Sequence, residues 1–273
     1  MFFKHPSINT SNGQLHKGGV FLFESKDGKT RVDQIFLPSQ ATMADLYDKE
    51  LPTINELLLN ILPAETADEL KQTGHAKARF YENVTVIFTD FQGFTEHSSH
   101  LSPDDLVQEI NVCFRAFDEI CETHKIEKIK TIGDAFMAVG GLPVPNSTHA
   151  EDVMKAALKM RDFVAQRNTA GNGAGLGLRI GIHSGPVVAG VVGSKKFQYD
   201  IWGDTVNVAA RMEAAGKPGK INISRSTRDL IAERFHCVSR GKIAVKGKGP
   251  VQMYLADRLP STNTPISEDK MQV

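Results

Sequence analysis

Two hydrophobic periods alternate along the chain. Val84-Thr85-Val86-Ile87-Phe88 is a β-branched apolar run, suited to a central strand. Leu106, Ile110, Cys113, Phe114, Phe117 and Cys121 then recur at helical spacing, which predicts one apolar helix face holding both cysteines in the core. Ser102-Pro103-Asp104-Asp105 supplies the start of that helix: a capping serine, proline at the first position and acids in the first turn. Strands are predicted over 126–132 and 135–139, flanking a Gly133-Asp134 hairpin, and a second amphipathic helix runs from 149 to about 167. Further on the pattern predicts strands over 178–183 and 187–192, a helix over 205–215 stopped by Gly216 and a helix over 226–235. Strands over 238–245 and 251–256 close the domain. Alternation interrupted by hairpins predicts an α+β fold, a ferredoxin-like mixed or largely antiparallel sheet with helices packed on one side of it.

The first quarter of the chain reads differently. Residues 19–23 and 32–37 read as strands around Asp27-Gly28. Leu46, Leu51, Ile54, Leu57, Leu58, Ile61 and Leu62 form a helical stripe broken at Pro52 and Pro63. Such a stripe needs a partner surface, either a second subunit or its own domain. The expected organisation is an unassigned segment over 1–42 with a possible β-hairpin, a helical linker or dimer segment over 43–75, a catalytic-type domain over 76–259 and a polar tail over 260–273.

Composition narrows the function. Lys and Arg number 32 against 32 Asp and Glu, so no global field draws the chain to nucleic acid or acidic lipid, and phosphate binding has to be local. Three cysteines without CxxC spacing favour a reducing, cytoplasmic setting over a disulfide framework or structural zinc. No run approaches the ~20 apolar residues of a membrane helix, although the chain is compatible with being a fragment of a larger sensor or membrane protein. The Gly171 to Gly177 loop superficially resembles a dinucleotide fingerprint, but it follows a helix and precedes a strand, the reverse of what that fingerprint requires. P-loop, HExxH and nucleophilic-triad patterns are missing from the sequence.

Candidate chemistry centres on two aspartates, each ending an apolar β-type run: Asp90 in Phe88-Thr89-Asp90-Phe91-Gln92-Gly93-Phe94-Thr95, and Asp134 after Gly133. Brought together on neighbouring strands, they would form a hard-oxygen site for a pair of divalent cations, suited to phosphate chemistry. Taken singly, each is equally an ordinary turn aspartate.

The segments 86–95, 128–134, Arg179-Ile180-Gly181-Ile182-His183-Ser184-Gly185, Tyr199-Asp200-Ile201-Trp202-Gly203-Asp204-Thr205-Val206-Asn207 and Val245-Lys246-Gly247-Lys248-Gly249 resemble the class III nucleotidyl cyclases, which include mammalian and many bacterial adenylate and guanylate cyclases. The resemblance spans about residues 76–258 and implies the class III cyclase fold, with two domains dimerised head to tail around shared active sites. It implies that Asp90 and Asp134 are metal ligands assisted by the Phe91 carbonyl, and that Gly93, Phe94 and Thr95 line the triphosphate. It makes Lys130 and Asp200 the base-reading pair, Asn207 the ribose-orienting residue and Arg211 the transition-state cation. Arg179 and Lys246 become the β- and γ-phosphate contacts, with Lys248 a rival to Lys246. The implied cofactor is Mg²⁺, two ions per site, with Mn²⁺ able to substitute.

A lysine donor and an aspartate acceptor suit the ring nitrogen and amino group of adenine, so the expected reaction is ATP to 3′,5′-cyclic AMP and pyrophosphate by a homodimer. A guanylate cyclase, a non-catalytic cyclase-like nucleotide-binding module and an unrelated phosphate-binding domain are the alternatives.

Overall fold

The structure is a computed structural model describing residues 21–24, 30–34, 58–94, 102–171, 175–193, 196–245, 247 and 249–260. The chain divides into two compact units, 1–67 and 68–273. In the first, β1 (Phe21–Glu24) and β2 (Thr30–Gln34) pair antiparallel, as the Asp-Gly pattern predicts. Helix α1 (Ala64–Thr73) begins directly after Pro63 and crosses the boundary between the units. The stripe from Leu46 to Leu57 lies outside the described residues.

The second unit contains β3 (Arg79–Gln92), α2 (Pro103–Thr123), β4 (Glu127–Ile132), β5 (Ala135–Gly140), α3 (His149–Thr169) and β6 (Gly177–Val192). These are followed by β7 (Gln198–Trp202), α4 (Asp204–Ala214), β8 (Ile221–Ser224), α5 (Arg225–Ile231), β9 (Phe235–Val245) and β10 (Gly249–Arg258). They build one mixed sheet in the order β4-β5-β3-β6-β8-β10-β9, with β7 paired to the far half of β6. Among the described residues, only the β6–β8 pairing is parallel. This is the α+β sandwich that the pattern predicts.

Four local readings change. Residues 178–183 and 187–192 are one continuous strand, because Pro186 falls opposite a bulge in β3: Tyr81 faces Val187 and Val84 faces Gly185. A bulge tolerates a residue with no N–H to donate. Strands β7 and β8, short and unanticipated, fill the other edge of β6. The helix expected over 226–235 ends at Ile231. Helices cover both faces of the sheet, not one.

The two faces are built differently. Ile87, Phe91, Phe136, Leu178, Ile180 and Ile182 share a core with α2, α3 and α5. Phe117 of α2 meets Phe136 edge-on at 5.5 Å, and both predicted core cysteines are buried, their thiols pushed up to about 11 and about 12, chiefly by burial. Helix α4 lies on the opposite face, where Val208 and Met212 pack with Met253. Gly181 makes that approach possible, since a Cβ there would stand 1.9 Å from the Glu213 backbone nitrogen. Only glycine lets strand and helix touch so closely.

Candidate active site

Strand alternation aims the first residues of the site. Phe91 is 4% exposed and stacks on Phe117 in the core, so its neighbour Asp90 points to the opposite face, the side of α4. Arg179 sits directly across from Asp90 in the β3–β6 register and shares that face, while Leu178 and Ile180 point into the core. Asp134 arrives from the β4–β5 hairpin, whose Gly133 takes φ +62°. Because β5 runs beside β3, with Phe136 opposite Thr89, the hairpin tip is delivered next to Asp90.

The two aspartates converge. The Asp134 carboxyl is pushed above its ordinary range, first by burial and next by the charge of nearby Asp90. Like charges held this close are relieved by a cation. Arg179 partly fills that need: its Nη2 donates to Asp90 Oδ2, and its Nε lies 2.9 Å from Glu213 Oε1. Burial alone would lower the Arg179 pKa, but the Asp90 hydrogen bond and the nearby carboxylates outweigh it and raise it. Oxygen-only donors carrying two formal charges, with a single guanidinium between them and a third acid, fit a divalent hard cation. No cluster of three or more His, Cys, Asp and Glu side chains able to hold a metal occurs among the described residues.

A second constellation joins Lys130 and Asp200. Their side chains meet, Nζ to Oδ2, at 2.5 Å. Asp200 lies within β7 and is 7% exposed. Its Oδ1 accepts from the Ile201 N–H, which fixes the carboxylate and leaves Oδ2 for a partner. Lys130 reaches it through a register shift in β4. Lys128 pairs with Ala138 and Lys130 with Met137, leaving Ile129 extra. The shift turns the two lysines to opposite faces: Lys128 covers Phe136 and pairs with Asp118 of α2, while Lys130 points away from that core.

Helix α4 carries the remaining pair. Asn207 is exposed and Arg211 half-buried. Arg211 Nη1 is buried without a hydrogen-bond partner, and its Nη2 lies beneath the β9–β10 turn, 3.6 Å from where a Gly247 Cβ would be. Glu213, two residues along, points the other way, toward Arg179, because positions i and i+2 stand roughly 200° apart around a helix. Burial first, then the charges of Asp90 and Asp134, push the Glu213 carboxyl up to about 7 against the pull of Arg179. Glu213 was not among the residues singled out in the sequence.

The structure therefore brings Asp90, Asp134 and Arg179 together in one cluster and Lys130 with Asp200 in another, and turns Arg211 away from the first cluster. Phe91, Gly93 and Phe94 continue from Asp90, with the Phe91 and Phe94 side chains packed on the core. Thr95, Lys246 and Lys248 lie outside the described residues.

The sequence profile of the family described as adenylate and guanylate cyclase catalytic domain matches residues 76–257. An adenylate cyclase of Mycobacterium tuberculosis is 42% identical over 218 residues, covering 79% of this chain and 48% of the relative. Guanylate cyclase soluble subunit beta-2 of Rattus norvegicus is 40% identical over 212 residues, covering 77% of this chain and 31% of the relative. The chain thus spans about half or less of the length of these curated relatives. Among solved structures, the guanylate cyclase domain of RhGC from Catenaria anguillulae in complex with GTP superposes with a TM-score of 0.63 at 37% identity, covering 66% of this chain and 98% of that domain.

Proposed function

The chain belongs to the adenylate and guanylate cyclase catalytic-domain family, a family of lyases that use divalent metal ions, and from that premise we propose that it converts ATP to 3′,5′-cyclic AMP and pyrophosphate at sites completed by a second copy of itself. The observation that carries the choice of ATP is the Lys130–Asp200 contact. One member donates only and the other, ionised, accepts only. Adenine offers a ring-nitrogen acceptor beside an amino donor, so each side chain finds its complement on the base edge. Guanine offers a carbonyl oxygen and ring N–H there, leaving the aspartate and lysine mismatched. Leaving buried polar groups unpaired is what makes such sites selective.

Asp90 and Asp134 hold the divalent cations in this reading, Mg²⁺ or in its place Mn²⁺, with the Phe91 carbonyl assisting. When bound, such ions supply Lewis acidity to the ribose 3′-hydroxyl and the triphosphate. The 3′-oxygen forms its bond to the α-phosphorus, the bond to the β-phosphate bridging oxygen breaks, pyrophosphate departs and the hydroxyl proton passes to solvent. Asn207 orients the ribose. Arg211 meets negative charge as it grows on the α-phosphate, where a positioned cation is worth about 3–4 kcal/mol. Arg179 and Lys246 hold the outer phosphates.

Arg211 and Glu213 on opposite sides of α4 support the subunit assignment. Arg211 faces away from its own chain's aspartates, so the anion it serves comes from the partner's half-site. Asp90, Asp134 and Arg179 then act from one subunit, and Lys130, Asp200, Asn207, Arg211 and Lys246 from the other. A cytoplasmic setting goes with this reading, because ATP and reduced thiols coexist there. No helix among the described residues is long and apolar enough to cross a membrane.

A guanylate cyclase is the second reading, favoured by the comparable identity to guanylate cyclases. The deciding experiment is turnover of ATP against GTP with Mn²⁺ at varied protein concentration. The proposal expects cyclic AMP as the main product and specific activity that rises with protein concentration. Cyclic GMP as the main product, or activity per chain independent of dilution, overturns the corresponding half.

A further inference from the structure

Arg179 has two acidic partners, and they hold it unequally. Its Nη2 donates a hydrogen bond to Asp90. Its Nε approaches Glu213 Oε1 to 2.9 Å, yet the two atoms are not aligned for a hydrogen bond, and both are buried without a hydrogen-bond partner. The guanidinium is thus oriented by the Asp90 hydrogen bond, while Glu213 holds it by an ion pair alone. Glu213 cannot drift from that post. Its backbone nitrogen and Cα rest on Gly181, two residues along β6 from Arg179, and its side chain is 13% exposed.

We propose that Glu213 is a positioning residue that draws Arg179 off Asp90 when a divalent cation claims that aspartate. The inference rests on the two-aspartate reading of the metal site. Asp90 has one charge to give. While Arg179 holds it, the guanidinium and an incoming cation compete for the same carboxylate. Glu213 offers the guanidinium an alternative anion within reach, so the ion pair is exchanged rather than broken. The rotation that releases Asp90 also aligns Nε with Oε1, adding a hydrogen bond to two buried atoms joined beforehand only as an ion pair.

The test is calorimetric titration of Mn²⁺ into the full chain without nucleotide. Wild type, Asp90→Asn, Glu213→Gln, Arg179→Met and the Glu213→Gln/Arg179→Met double variant are compared, each with a melting curve. Glu213→Gln is expected to weaken Mn²⁺ binding about tenfold, because Arg179 then has only the aspartates to pair with. Arg179→Met is expected to bind at least as tightly as wild type, and the double variant to recover most of the loss. A damaged fold would weaken both single variants, so tight binding by Arg179→Met separates release of a competitor from structural harm. Unchanged binding by Glu213→Gln, or a double variant as weak as Glu213→Gln, overturns the inference and leaves the aspartate site standing. Wild type that binds no Mn²⁺, or Asp90→Asn that binds it equally well, overturns the site reading and this inference with it.

Discussion

Arg179 and Arg211 lie near the same helix, and the chain provides for them in opposite ways. Arg179 stands between Asp90 and Glu213, with a pKa raised by the acids around it. Arg211 makes no ion pair among the described residues and leaves Nη1 buried and unpartnered. A guanidinium ion-paired to carboxylates of its own chain serves the fold as well as the site. One left without an anion carries an unmet electrostatic demand, which is what a residue waiting for a phosphate from another subunit should show.

The sharpest way to break this contrast is to remove each arginine. Arg211→Ala should lower kcat by about 10²–10³ while leaving the melting temperature within a degree or two of wild type. A large drop in melting temperature would mean that Arg211 is structural after all. Arg179→Met should instead cost stability, about 1–3 kcal/mol by denaturant titration, because Asp90 and Glu213 lose their common cation. That cost should shrink below pH 7, where Glu213 takes up a proton and sheds its charge. Equal destabilisation by the two substitutions would erase the distinction.

The second grouping is tested by exchange. Lys130→Glu with Asp200→Cys should shift the ratio of kcat/KM for ATP over GTP toward GTP by about 10–100-fold. An unchanged ratio would show that other side chains read the base.

The smallest effect concerns a carboxylate that belongs to neither cluster, on the strand that carries Lys130. Burial pushes Glu127 from 4.5 up to about 7. The folded chain therefore holds a proton that the unfolded chain has released, and stability contributed below pH 4.5 is lost as pH rises toward 7. Glu127→Gln should be about 1–2 kcal/mol more stable than wild type at pH 8 and nearly equal at pH 4.5, measured by urea titration at both pH values. A pH-independent difference would mean that Glu127 is not held protonated by the fold.

Much of this was legible in the chain because period and punctuation agreed. The apolar spacing of α2 predicted its buried face down to Cys113 and Cys121, and Gly133-Asp134 marked the hairpin that brings Asp134 to Asp90. Other features were hidden for physical reasons. Lys128 and Lys130 read as neighbours on one strand face, and only the register shift at Ile129 separates them; a shift leaves no trace in hydrophobic alternation. Pro186 looked like a strand break because its harmlessness depends on a bulge in another strand. Strand β7 did carry a signal, the aromatic and β-branched Tyr199, Ile201 and Trp202, but Asp200 between them suggested a turn. Glu213 carried none: its importance comes from Gly181, more than thirty positions earlier, which lets α4 settle on β6.

The central claim, that each site is assembled from two copies of the chain, is tested most directly by mixing Asp90→Ala with Arg211→Ala, each inactive alone. Random exchange of subunits places one intact site in half of the dimers, so activity should return to about a quarter of wild type. Mixtures that form hetero-dimers, verified by differential tagging, and still stay inactive would contradict the account.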